Sequence, residues 1–235
     1  MSAPGAADRA PMAMTGSTHV PESVSRFRAQ YRVEEIPAGY RGWLHALFTF
    51  GFGGAVLIAC LLQLRDVQPM EWLTIPVAFL YANLAEYLGH RFPMHHPWPG
   101  LGLIYRRHAG QHHRFYTHEA MELEEQRDFR ATLFPPLLVI FFFGGFGIPM
   151  WIVLNWVANA NVAWFAVATS VAYYLNYELL HFSYHARRDT WLGRNAIVGR
   201  LRALHQTHHD QQRMTRCNFN ITYPIGDWLF RTFER

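Results

Sequence analysis

The 235-residue chain contains no lysine; all 21 of its basic residues are arginine. Cysteine is nearly absent too. Cys60 and Cys217 stand alone and far apart, which excludes a disulfide framework, a CxxC redox or zinc motif and a CxxCH haem attachment site. Charged residues make up only 16%, against roughly 25% in soluble domains. Apolar residues reach 51% and aromatics 16%, so the composition leans toward a membrane protein. There is no repeat of solenoid length. The length suits one domain with a substantial core and leaves no room for a second enzyme module. A net charge of +4 is compatible with nucleic acid, but long uncharged runs make anionic lipid head groups the expected partner.

Those runs set the expected architecture. Residues 1–25, rich in Ala, Pro, Ser, Thr and Gly, read as a disordered tail without the layout of a signal peptide, so the first apolar run is expected to be retained. Residues 26–41 mix arginine with Phe27, Tyr31 and Tyr40, as suits an approach along the membrane interface. The run 44–64 carries no Asp, Glu, Lys or Arg, and its length at about 1.5 Å per residue matches a hydrocarbon core of roughly 30 Å. Further runs at 72–90, 133–154 and 162–181 follow. The expectation is an all-α integral membrane domain over 26–235, with four transmembrane helices in two hairpins and a helical cap carrying the histidines. Arginines crowd the segments 26–41, 91–130 and 187–235, while only Arg65 lies in the two short turns. By the positive-inside rule both termini and the histidines face the cytoplasm. Residues 191–204 read as a basic surface helix, and the closing stretch as an irregular lid with a terminal helix.

Eleven of the fourteen histidines fall in four clusters: His90/His95/His96, His108/His112/His113, His181/His185 and His205/His208/His209. Spacings of three and four put Glu178, His181 and His185 on one helix face, and likewise His205, His208 and His209. His90 and His95 do not share a face on a straight helix, but Pro93 between them bends or ends it. His19, in the tail, and His45, opening the first run, read as ordinary polar residues. Ten or more imidazoles exceed what one zinc site uses, so two ions with about five each fit better. An all-nitrogen donor set suits iron, with zinc or copper able to replace it in purified protein. A metal transporter or store is the rival from another class. It calls for ligands near mid-membrane, whereas these gather at span ends and in loops. A b-type cytochrome would leave most of the clusters without purpose.

The run Glu86-Tyr87-Leu88-Gly89-His90-Arg91-Phe92-Pro93-Met94-His95, HxxxHH at 108–113, HxxxH at 181–185 and HxxHH at 205–209 together resemble the histidine boxes of the fatty acid hydroxylase/sterol desaturase superfamily. Asn218-Phe219 and Asp227-Trp228-Leu229-Phe230 resemble its C-terminal signature. The resemblance covers roughly residues 80–235. It implies a non-haem di-iron membrane oxygenase that uses O₂ and two external electrons to hydroxylate, or alternatively desaturate, a lipid. Its implied metal ligands are His90, His95, His108, His112, His113, His181, His185, His205, His208 and His209, with His96 and His118 as alternatives. The box at 108–113 is one residue longer than the HxxHH of ceramide fatty acid 2-hydroxylases. Glu86, Glu178, Asn218 and Asp227 are expected behind the ligands, accepting imidazole N–H bonds. The implied partners are a lipid substrate, the membrane and an electron donor: a cytochrome b5-like protein, a ferredoxin or a reductase. Gly144 and Gly145 are expected to serve close helix packing, the alternative being that they leave room for an apolar substrate to approach laterally between the spans. Glu119, Glu122, Glu124, Glu125 and Asp128 are expected to form a solvated face, the alternative being a docking site for a basic electron-transfer partner.

Overall fold

A computed structural model describes residues 20–235. Most of the expected tail, and His19 with it, lies outside the described residues. Among those described the protein is all-helical, with no β-strand.

Helix α1, Glu22–Glu34, already occupies the end of the expected tail. Pro21 precedes it with a φ fixed for entry, and Glu22 in the first turn complements the helix dipole. Its spacing buries Val24, Arg28 and Tyr31. The basic and aromatic residues assigned to a membrane interface therefore pack partly inward, with Tyr31 edge-on to Phe115 at 5.2 Å.

Helix α2, Gly42–Leu61, is followed by a 3₁₀ turn, Pro69–Leu73, and by α3, Thr74–Gly89. The third apolar run is interrupted. Leu133 to Pro135 is non-helical, α4 covers Pro136–Phe142, a π-helical turn covers Phe143–Gly147, and α5 covers Ile148–Val157. Two stretches, Gly42–Leu61 and Gln126–Val157, are long and apolar enough to cross a membrane, with 22% and 11% of their apolar windows buried in the protein. A soluble core helix would be mostly buried. Here Leu47, Ile58, Leu137, Ile148 and Trp156 point outward instead.

Helix α6, Ala160–His185, is the central post, packed against α2, α3 and α5. Asn159 starts it by accepting a hydrogen bond from the Val162 N–H, a cap worth about 1 kcal/mol. Because other helices cover it, α6 tolerates Tyr173, Tyr174, Asn176 and Glu178. Its last turn delivers His181 and His185 to the end of the bundle.

The expected surface helix is divided at Asn195, which caps α7, Ala196–His208, through the N–H groups of Ile197 and Val198. The C-terminal stretch is not a lid. Cys217 through Thr222 is buried, a strap held between α3 and the histidines and closed by α8, Ile225–Leu229. Gly226 permits this approach, since a Cβ there would lie 2.9 Å from the Tyr87 side chain.

The glycines of the third run do not serve helix packing. A Cβ on Gly144 would meet nothing, and one on Gly145 only the Phe141 ring of its own helical stretch. The acidic run is a solvated face only in part, with Glu119, Glu124 and Glu125 exposed. Asp128 is fully buried and ion-paired to Arg32, Glu124 pairs with Arg28 and Arg32, and Glu122 lies 3.6 Å from Arg188.

Candidate metal centre

The four clusters meet at one end of the bundle and sort into two groups of five. His90, His95, His108, His113 and His208 form one group; His112, His181, His185, His205 and His209 form the other. All ten are buried. Within each group the potential ligand nitrogens lie within 4.8 Å of one another. The adjacent pairs divide: His112 and His113 go to different groups, as do His208 and His209. The groups abut where the His113 and His209 rings stack at 4.2 Å.

Two π-helical turns achieve part of this sorting. His90–Met94 continues α3 as a π turn with Pro93 inside it, and Arg106–His112 is a second. Hydrogen bonds reaching five residues back widen the helix and accommodate one extra residue per turn. His90 and His95, and His108 and His113, are each five apart, and each pair lands in the first group. The additional residue in the 108–113 box is thus taken up by the backbone, and His108 points inward with the others. His96 is exposed and bonded to its local Arg91 carbonyl, and His118 is also exposed. Neither joins a group. His45 is buried between Tyr40 and the Phe134 carbonyl, away from both.

The orientation of the rings is more informative than their proximity. Nε2 to Nε2 separations are 2.8 Å for His90/His108, 3.1 Å for His108/His113 and 3.0 Å for His95/His208. In the second group they are 3.2 Å for His112/His209, 3.1 Å for His112/His181, 3.0 Å for His205/His209 and 3.2 Å for His185/His205. Two nitrogens bound at right angles to one ion, each about 2.1 Å from it, stand about 3.0 Å apart. For the His112/His209 pair, hydrogen bonding between the rings does not account for the approach. His112 donates Nδ1–H to the Ala131 carbonyl and His209 donates Nδ1–H to the Tyr116 carbonyl, so in neutral rings both Nε2 atoms are bare lone pairs facing each other.

The rings are held neutral. Burial first, opposed in part by the Ala131 contact, pushes His112 down to about 4; burial likewise brings His208 to about 4. His108, His113, His205 and His209 are lowered well below the ordinary range, chiefly by burial and then by neighbouring imidazoles. Facing lone pairs without a proton between them repel unless a cation lies there. The donor set therefore fits two metal ions, with neutral imidazole as the ligand type.

The residues expected behind the ligands act differently from expectation. The acceptors of imidazole N–H are backbone carbonyls: Phe219 for His90, Cys217 for His208, Ala131 for His112, Met121 for His185 and Tyr116 for His209. Glu86 accepts from the Ile221 and Thr222 N–H groups and from the Thr222 and Tyr173 hydroxyls. Asp227 accepts from the Phe219 and Asn220 N–H groups and the Thr232 hydroxyl. Asn218 sits at φ 54°, a left-handed position that Asn tolerates, and its amide ties Leu204 to Glu234. All three shape the strap whose Cys217 and Phe219 carbonyls orient His208 and His90. Glu178 bonds the Tyr174 hydroxyl and the Phe134 N–H. The carboxylates thus lie at least one peptide removed from the rings. Carbonyl acceptors carry no side-chain signature, so only the fold reveals them.

A cavity of about 450 Å³ leads to the first group. Ala82, Glu86, Gly89 and His90 of the α3 segment form one wall, Phe141 to Met150 another, and Val167 to Tyr177 of α6 the third. Among the described residues no arginine lines it. Its outer rim includes the exposed Tyr81, Phe141 and Phe146.

The fatty acid hydroxylase family model matches residues 75–232, two thirds of the chain and all ten converging histidines. The chain belongs to the fatty acid hydroxylase family. This is the fatty acid hydroxylase/sterol desaturase superfamily, a family of oxidoreductases. No curated protein matches the chain significantly, and no solved structure does. Family and apolar helices together point to a membrane protein.

Proposed function

We propose that this protein is a membrane-bound lipid hydroxylase that inserts one oxygen atom of O₂ into an unactivated C–H bond, using two iron ions held by the two histidine groups. The observation that carries the reading is the convergence of ten buried imidazoles, Nε2 toward Nε2, in two groups of five, with His90 of the first group lining an apolar cavity. In balance, R–H, O₂, two electrons and two protons give R–OH and water. The irons, when bound, supply the redox chemistry, and an external donor (a cytochrome b5-like protein, a ferredoxin or a reductase) supplies the electrons.

The chain contributes position, dryness and ligand electronics. Five backbone carbonyls fix the Nδ1–H tautomer, so that Nε2 is presented to the metal. Phe134, Tyr174 and Tyr177 wall the cavity beside the histidines and exclude water. An apolar cavity of 150 Å³ accepts benzene, so this one accommodates on the order of 18 carbons. The exposed rim between α3 and the α4–α5 segment gives an apolar substrate a lateral way in from the bilayer.

Residues 26–235 act as one membrane domain with four spans, α2, α3, the α4–α5 stretch and α6. The arginine-rich segments and the histidines lie on the cytoplasmic side, a placement supported by the arginine distribution. The test is direct. Protein reconstituted in lipid with iron, a reductase system and candidate lipids under ¹⁸O₂ yields a product with one labelled oxygen, lost on His208→Ala substitution. A product lighter by two hydrogens reassigns the site to desaturation. No turnover of any lipid, with metal fully loaded, overturns the reading.

A further inference from the structure

Helix α1 lies outside the residues matched by the family, yet one of its side chains reaches the segment beside the second histidine group. Arg28 is 1% exposed. Its Nε donates to the Phe115 carbonyl at 2.8 Å, one Nη donates to the Ala120 carbonyl at 2.7 Å, and the other meets Glu124 Oε1 at 2.6 Å. The guanidinium also lies 5.1 Å from the Phe115 ring centroid and 5.5 Å from that of Tyr116.

The two carbonyls it holds are each next in sequence to one that orients a histidine. Phe115 precedes Tyr116, whose carbonyl accepts His209 Nδ1–H at 2.7 Å; Ala120 precedes Met121, whose carbonyl accepts His185 Nδ1–H at 2.8 Å. The Tyr116 ring stacks on His185 at 4.0 Å, and the Leu123 N–H donates to the His185 carbonyl. Segment 115–123 is therefore a template for two of the five rings in the second group. In the first group, His90 and His208 take their acceptors from the C-terminal strap instead.

We propose that Arg28 is a positioning residue chiefly for the second metal ion: by clamping the Phe115 and Ala120 carbonyls it fixes the backbone that aims His185 and His209. Arginine suits the task because one rigid planar group donates in three directions at once, which an ammonium on a flexible stem does not reproduce. The inference rests on the two-ion reading of the preceding subsection. It also makes α1 a part of the metal centre.

The test counts metal rather than turnover. Full-length protein, stripped and titrated with cobalt(II), is followed by elemental analysis and by visible absorption, with thermal melts as a check on folding. The wild type takes up two equivalents. Arg28→Gln keeps one tight site, and the other weakens by roughly 10- to 100-fold, the usual effect of losing a group behind a ligand. Arg28→Lys, the gentler variant should Arg28→Gln fail to fold, gives an intermediate loss from the same site. Adding His208→Ala to Arg28→Gln removes the remaining tight site, whereas adding His205→Ala leaves it. Arg32→Gln, from a neighbour that donates to Glu124 and Asp128 but to no carbonyl of the segment, retains two tight sites. Two unaltered sites in the Arg28 variants, or equal weakening of both, overturns the proposal. Fewer than two equivalents in the wild type overturns the two-ion reading itself, and is seen before any variant is made.

Discussion

At the scale of single residues, the site depends on keeping imidazoles neutral and pointing one way. Burial lowers the pKa of His112 and of His208 to about 4, against about 6.5 in an unfolded chain. Below pH 6.5 the unfolded state binds protons that the folded state refuses, so stability falls as pH drops and the loss continues down to about pH 4. Each such ring costs about 1.4 kcal/mol per pH unit across that window. The metal-free protein should therefore show a melting temperature that is flat above pH 7 and declines steadily from pH 6.5 to 4; a flat profile through pH 5 would show that the rings are not buried as neutral groups. Asp227 offers a second check. It holds the Phe219 and Asn220 N–H groups, and Asp227→Ala leaves buried donors unpaired at about 1–3 kcal/mol. Calorimetry should record that loss of stability, and metal titration should record weaker binding in the first group, whose His90 leans on the Phe219 carbonyl.

At the scale of elements, the π turn Arg106–His112 gives the box at 108–113 its register. Deleting Gly110 would restore an HxxHH spacing and remove the widening of the turn. His108 would then rotate by about 100° relative to His112 and His113. The expected result is one metal equivalent instead of two, with the first group emptied. Retention of both would mean that the bulge plays no part in sorting the ligands. The same element shows why the sequence was legible only in part. Spacings of four at 181–185 and 205–209 announced pairs that share a group, and the apolar runs announced helices, whereas the spacing of three did not show that His208 joins the other group. A five-residue spacing has no place on an ideal helix, so His108 could be placed in the box but not in a group. The strap at 217–222 read as a lid because aromatic and turn-forming residues suit exposed loops as well as buried turns. Its burial depends on Glu86 and Asp227, which bond its backbone from outside. Arg28 was indistinguishable from its neighbours, since a sequence shows that an arginine is present but not which carbonyls it will meet.

For the whole molecule, the decisive relation is between the cavity and the bundle. Lining residues on α6 run from Tyr177, near the histidines, to Val167, ten residues away and thus about 15 Å along the helix. Gly147 stands at the far end, where a Cβ would sit 4.0 Å from Val167, an ordinary contact that leaves room for a side chain. A ring added there fills on the order of 150 Å³, about a third of the cavity, while leaving the histidines untouched. Gly147→Phe should therefore bind two metal equivalents as before but shift its preference to hydrocarbon chains shorter by roughly six carbons, counting one benzene ring's worth of space. Competition among lipids of graded length, read by mass spectrometry of the products, measures the shift. If long and short chains lose turnover together, the cavity is not a length gauge, and the reacting lipid reaches the metal centre by another route.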